Sequence, residues 1–163
     1  MGQQQLLILG VGILLVTVAV AAGTLMFGEN QEKALYENIT AEGLRMASDA
    51  ISWKGKAAAF GGGNDAKYLK GLKLGQLGYN ETNGNGTKAD SDLYTRQLKS
   101  KNSKRPYFEV KPKSNTNLRV RVFMYGRYSD CIKVQRARKI SGTWKNAGMD
   151  VGKNSPPVGC KVW

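Results

Sequence analysis

The 163-residue chain contains no histidine. That removes the commonest general base and metal ligand, and neither a Ser-His-Asp nor a Cys-His arrangement can be assembled. No charged side chain occurs before Glu29, and no proline interrupts the first 54 residues. The carboxylates are scattered, with no pair in a recognisable acid/base motif. Gly61-Gly62-Gly63 lacks the Gly-Lys-Ser/Thr ending of a phosphate loop and reads as a flexible turn or a tight packing site. Together these absences predict a non-enzyme with no catalytic residue, no metal and no cofactor.

What is present starts with an apolar run. From Leu6 to Phe27 only Gly10, Gly12, Thr17, Gly23 and Thr24 break it. About 22 residues make a helix of roughly 33 Å, enough to cross a bilayer. A secretory signal peptide has a basic n-region and a shorter core. Here the n-region is Gly-Gln-Gln-Gln, so a spanning or membrane-stored helix is the better reading. An uncharged N-terminus followed by Glu29, Glu32, Lys33 and Glu37 is consistent with the N-terminus inside and the rest outside.

Helical periodicity continues through ENQEKALYENITAEGLRMASDAISW. Leu35, Ile39, Gly43, Met46, Ala50 and Trp53 share one face, widened by Ala47 and Ile51. Glu37, Asn38, Glu42, Arg45, Ser48 and Asp49 lie on the opposite arc. Such a stripe is what a helix needs to pack on a sheet. One helix is therefore predicted over residues 3–54, with residues 1–28 as an apolar segment and 29–163 as the globular part. The apolar half must be buried in lipid or against copies of itself.

Beyond residue 64 the pattern is one of short strands. Leu118–Tyr128 alternates apolar and polar residues, and Cys131–Arg138 reads as its hairpin partner. Tyr68–Leu74 and Tyr107–Val110 are weaker strand candidates, and residues 80–92 read as an exposed loop. The expectation is an α+β fold: a long N-terminal helix, half apolar and half amphipathic, packed on a small antiparallel sheet. Cys131 and Cys160 are either a pair of buried thiols or, outside the cytoplasm, a disulfide. A disulfide closing about 30 residues would stabilise the fold by roughly 3.6 kcal/mol of loop-closure entropy.

The order of these parts, with the opening MGQQQLLILGVG and the stretch WKGKAAAFGGGN, resembles type IV pilins and the related pseudopilins. The resemblance implies a pilin-like fold, an extracellular domain and a Cys131–Cys160 disulfide. It implies polymerisation into a helical filament through the N-terminal helix, with Gln3, Gln4, Gln5, Leu6, Leu9, Val16 and Val20 in the assembly surface. It also implies a membrane-anchored precursor pool in the inner membrane and the pilus assembly machinery as partner, with Gly2 as the candidate processing position. Two departures stand out. Only Met1-Gly2 could serve as a leader, or nothing is cut, and with numbering from Met1 it is Gln5 that occupies the place where the family has glutamate. An amide still hydrogen bonds in an apolar setting, but forms no salt bridge. Gly10, Gly12 and Gly23 are where the helix could loosen, a role proline plays in the family.

The net charge is +13, and it is uneven. Residues 29–53 carry five acids against two bases, whereas residues 54–163 carry 23 bases against seven acids. Lys99, Lys101, Lys104 and Arg105 read as a loop cluster. Arg119 and Arg121 fall on the outer face of a strand beside Phe123 and Tyr125. Such a mixture suits DNA or another polyanion. A solvated face, or pairing with the acidic arc (Glu37, Glu42, Asp49) of a neighbouring subunit, explains it too, and that pairing is preferred. Asn38, Asn80 and Asn85 fit the Asn-X-Ser/Thr glycosylation pattern.

The leading functional expectation is the structural subunit of a type IV pilus-like surface filament. The alternatives are a pseudopilin of a secretion machine and a membrane-anchored polyanion-binding module. No residue separates adhesion from motility, DNA uptake or electron transport.

Overall fold

The structure is a computed structural model that describes residues 2–147 and 156–163. Met1, and with it half of the expected leader, lies outside the described residues. The chain divides into two units, one ending at Leu35 and the other spanning Tyr36–Trp163.

Helix α1 (Gly2–Gly55) is unbroken, one residue longer at each end than the periodicity predicts. It passes through Gly10, Gly12 and Gly23 without interruption. The hydroxyls of Thr17 and Thr24 donate to the carbonyls of Leu14 and Ala21 at 2.8 and 2.9 Å. The polar atoms in the apolar run are thus satisfied inside the helix.

Within the second unit, α1 buries Ile39, Gly43, Met46, Ala47, Ala50 and Trp53, the predicted stripe. Tyr36 joins them, while Leu35 is only half-buried. A β-carbon on Gly43 would lie 2.7 Å from Val122 Cγ2, so the helix backbone rests directly against the sheet there.

Among the described residues six strands form one antiparallel sheet in sequence order: β1 (Lys88–Asp90), β2 (Tyr94–Lys99), β3 (Tyr107–Pro112), β4 (Leu118–Met124), β5 (Ile132–Ile140) and β6 (Thr143–Asn146). With α1 they make an α+β fold. β4 alternates as predicted, burying Leu118, Val120, Val122 and Met124 and turning Arg119, Arg121 and Phe123 to the other face. Phe108 and Val110 of β3 and Leu98 of β2 complete the core beside them.

Three expectations are corrected. Tyr68–Leu74 is not a strand but a run of turns leading into a 3-10 helix at Leu74–Leu77. Tyr68 at φ +59° and Gly71 at φ +90° take the backbone out of the extended region, although Leu69, Leu72 and Leu74 are fully buried. The segment 80–92 is not simply an exposed loop: it holds β1 and a bridge from Glu81 to the buried Ala89. The Asn83 carboxamide organises that turn by accepting from the backbone N–H of Thr87 and Lys88, each at 3.0 Å. Tyr125 lies beyond the end of β4 and is buried, not on the outer face.

The hand-over from helix to sheet is tightly built. The Lys54 side chain is buried and its ammonium donates to the carbonyls of Gly63 (2.6 Å), Asn64 (3.2 Å) and Ala66. Burial, and then the charge of Arg127, push its pKa down, while Asp65 acts the other way. Trp53 Nε1 donates to the Gly61 carbonyl at 3.0 Å, and a β-carbon on Gly63 would overlap the Trp53 ring. The triple glycine is a packing site.

Cys131 and Cys160 form a disulfide. Trp163 N–H donates to the Tyr125 carbonyl at 3.0 Å and its indole to the Met124 carbonyl at 3.3 Å. The final residues are therefore stitched to the end of β4.

Candidate assembly helix and basic sheet face

The first candidate surface is the apolar half of α1. Leu9, Val16 and Val20 are 64, 62 and 60% exposed, and between Ile8 and Phe27 the described side chains, which do not include Leu25, show an apolar surface apart from the threonines and glycines. Gln3, Gln4 and Gln5 are exposed in the first turns, next to Gly2 at the helix start. The side chain of Leu6 lies outside the described residues. By length and composition this helix can cross a membrane. A cylinder exposing this much hydrocarbon is not stable in water, so lipid or protein must cover it.

The second candidate is the sheet face turned from the core. Its organising group is Glu109 of β3, 1% exposed and absent from the sequence reading. Arg121 donates Nε to its Oε2 at 2.7 Å, and Lys99 reaches Oε1 at 3.1 Å. Lys111 and Arg119 stand at 3.5 and 3.6 Å. Burial alone would push this carboxyl up. Hydrogen bonds from Arg121 and Lys99, with their charge, override it and hold it at about 2.

Lys99 is therefore the last residue of β2, not a loop residue, while Lys101, Lys104 and Arg105 do lie in the β2–β3 connection. Arg119 is only 12% exposed and stacks over the Trp144 ring at 3.8 Å. Burial and the neighbouring Arg121 charge push its pKa down. Arg121 lies 5.2 Å from the Tyr107 ring, which in turn packs on Phe123 at 4.9 Å. Of the six expected polyanion contacts, the structure brings Lys99, Arg119 and Arg121 onto one carboxylate. Lys104 and Arg105 border the same face as exposed side chains. Trp144 was missed because β6 has too few apolar residues to announce itself.

The acidic arc of α1 is less available than expected. Glu42 accepts from Arg96 Nε at 2.6 Å, and Asp49 accepts from the Tyr79 hydroxyl at 2.8 Å. Burial and that hydrogen bond push the Tyr79 phenol pKa well up. Two of the three carboxylates assigned to a neighbouring subunit are thus engaged within the chain. Asn38, Asn80 and Asn85 are all exposed, the first on α1 and the others in the segment before β1.

Comparison of the chain with models of known protein families, with curated proteins and with solved structures returns no match.

Proposed function

We propose that this protein is the structural subunit of a type IV pilus-like helical filament, held in a membrane before assembly and polymerising through the first half of α1. The carrying observation is the exposed apolar surface of Ile8–Val20, with Met26 and Phe27, on a helix that is unbroken from Gly2 to Gly55. An element apolar all round must be covered, and copies of the same helix cover one another by close packing as well as lipid does. The three glycines in the run carry no β-carbon and face open space in the single chain, and small residues of this kind let helix backbones approach closely. The α+β layout and the disulfide-tied C-terminus support a pilin-like reading of the fold, and a surface location goes with it.

The test is electron microscopy of material sheared from the cell surface, with intact-mass measurement of the subunit. Filaments composed of this chain are the expected result. Finding the chain solely as a dispersed membrane protein would refute the filament reading.

A further inference from the structure

We infer that the outer face of the sheet is a binding platform for single-stranded nucleic acid. The inference does not rest on the filament reading and holds equally for a single anchored copy.

The strand alternation puts cations and rings on this face together. Arg119 and Arg121 share it with Tyr107, Phe123 and Trp144, and Glu109 is the carboxylate between them. One buried carboxylate faces four bases, leaving a strong excess of positive charge. Asp90 of β1, on the same face, is taken by Lys88 at 3.1 Å.

Beside this hub a groove of about 590 Å³ opens between the β2–β3 connection and the sheet. Lys104 and Arg105 line it together with Arg121, the Tyr107–Phe123 ring pair and the Gln135 side chain. Each part matches one part of a nucleotide. Cations take the phosphate, a ring takes the face of a base, and a carboxamide both donates to and accepts from a base edge.

The stacked layers favour nucleic acid over an acidic polysaccharide. Arg119 lies over Trp144 and Arg121 beside Tyr107, so guanidinium planes and rings already alternate. A flat base extends such a stack, whereas a saturated sugar ring has no π face. A duplex hides its base faces inside the stack, where these rings could not reach them. An unpaired strand is the occupant that uses both the charge and the rings.

The experiment uses the full chain in non-ionic detergent with labelled oligothymidylate, read by fluorescence anisotropy over a salt series. Tight binding at low salt that weakens steeply as salt rises is expected. Duplex DNA, heparin and inorganic polyphosphate should compete poorly at equal charge. Lys104→Gln with Arg105→Gln should lower the log–log salt slope by about 1.4, at about 0.7 per released single-strand contact. Phe123→Ala should weaken binding about tenfold and leave the slope unchanged, in line with a lost base stack. Phe123→Leu keeps the bulk without the ring and should lose the same affinity if the alanine variant unfolds. The inference is overturned if oligothymidylate does not bind at low salt. It is equally overturned if heparin or polyphosphate matches oligothymidylate while both Phe123 variants bind normally.

Discussion

Arg121 and Glu109 face each other across β3 and β4 as directly opposed residues, with Arg121 Nε donating to Glu109 Oε2 at 2.7 Å. The pair is the centre of the basic face. Without that carboxylate, Lys99, Lys111, Arg119 and Arg121 would repel one another on a surface that the strand pairing forces them to share. The sheet therefore tolerates a high positive charge because one acid is buried among the bases. The electrostatics of the basic face and the stability of the sheet are the same arrangement.

This coupling sets an acid limit. The Glu109 carboxyl is held at about 2, below its ordinary value of 4.5. Its stabilisation is therefore complete above about pH 4.5 and is lost as the pH falls toward 2. The full effect is on the order of 3 kcal/mol. Glu109→Gln should cost about 2–4 kcal/mol at neutral pH, because it strands the bases, and should flatten the stability profile between those pH values. Chemical denaturation across the acid range checks both. A wild-type and a Gln variant with parallel pH profiles would contradict the role given to Glu109.

Lys54 makes a different kind of bond. Its ammonium serves the carbonyls of Gly63, Asn64 and Ala66 from a buried position, holding the turn that follows α1. Lys54→Met keeps most of the stem but leaves those carbonyls without their donor. A loss of about 2–4 kcal/mol is expected, since bonds to a charged donor are stronger than neutral ones. Hydrogen exchange should show faster opening around residues 61–66 in the variant. Unchanged protection there would mean that the turn is held by Trp53 and glycine packing alone.

The long helix and β4 were legible because each carries a period over many residues. The stripe from Ile39 to Trp53 and the alternation from Leu118 to Met124 are strong local signals. β1, β2 and β6 were not legible, for a physical reason. They are short or polar on both faces, and their burial comes from neighbours that only the sheet register supplies. Glu109 shows the limit most clearly. Its sequence neighbours Phe108 and Val110 mark a strand, but nothing local says that Lys99 and Arg121, 10 residues before and 12 after it on the adjacent strands, converge on it. Buried Lys54 was hidden likewise, because its partners are backbone carbonyls of a loop.

The Cys131–Cys160 disulfide joins the 3-10 turn before β5 to the C-terminal segment, whose sequence has little regular structure of its own. Replacing both cysteines with serine should cost up to about 3.6 kcal/mol by the loop-closure relation. Gly126 is needed beside it, because a β-carbon there would overlap the Lys161 carbonyl oxygen and lie 2.8 Å from Cys131 Sγ. Intact mass with and without reductant, after alkylation, should find both thiols protected in the native protein. Two alkylated thiols without reductant would show the bond to be absent.

The apolar half of α1 separates polymer from anchor. Val16 lies in the middle of the exposed run, and 62% of its surface is open. Val16→Asp would place an unpaired carboxylate among apolar helices in every subunit, at a cost of several kcal/mol each. Filaments should be abolished, whereas Val16→Leu should assemble. Because an aspartate also disfavours insertion into lipid, a second variant is needed. Replacing residues 6–27 by an unrelated leucine-alanine span of equal length keeps the bilayer crossing but removes the side chains and glycines that copies would use to pack. A simple anchor tolerates this exchange. A filament subunit stays in the membrane fraction and fails to polymerise, because close helix packing depends on small residues at particular positions. Membrane fractionation and electron microscopy of both variants supply the two readouts. Normal filaments from the exchanged span would show that this run serves as a lipid anchor and that assembly, if it occurs, uses another surface.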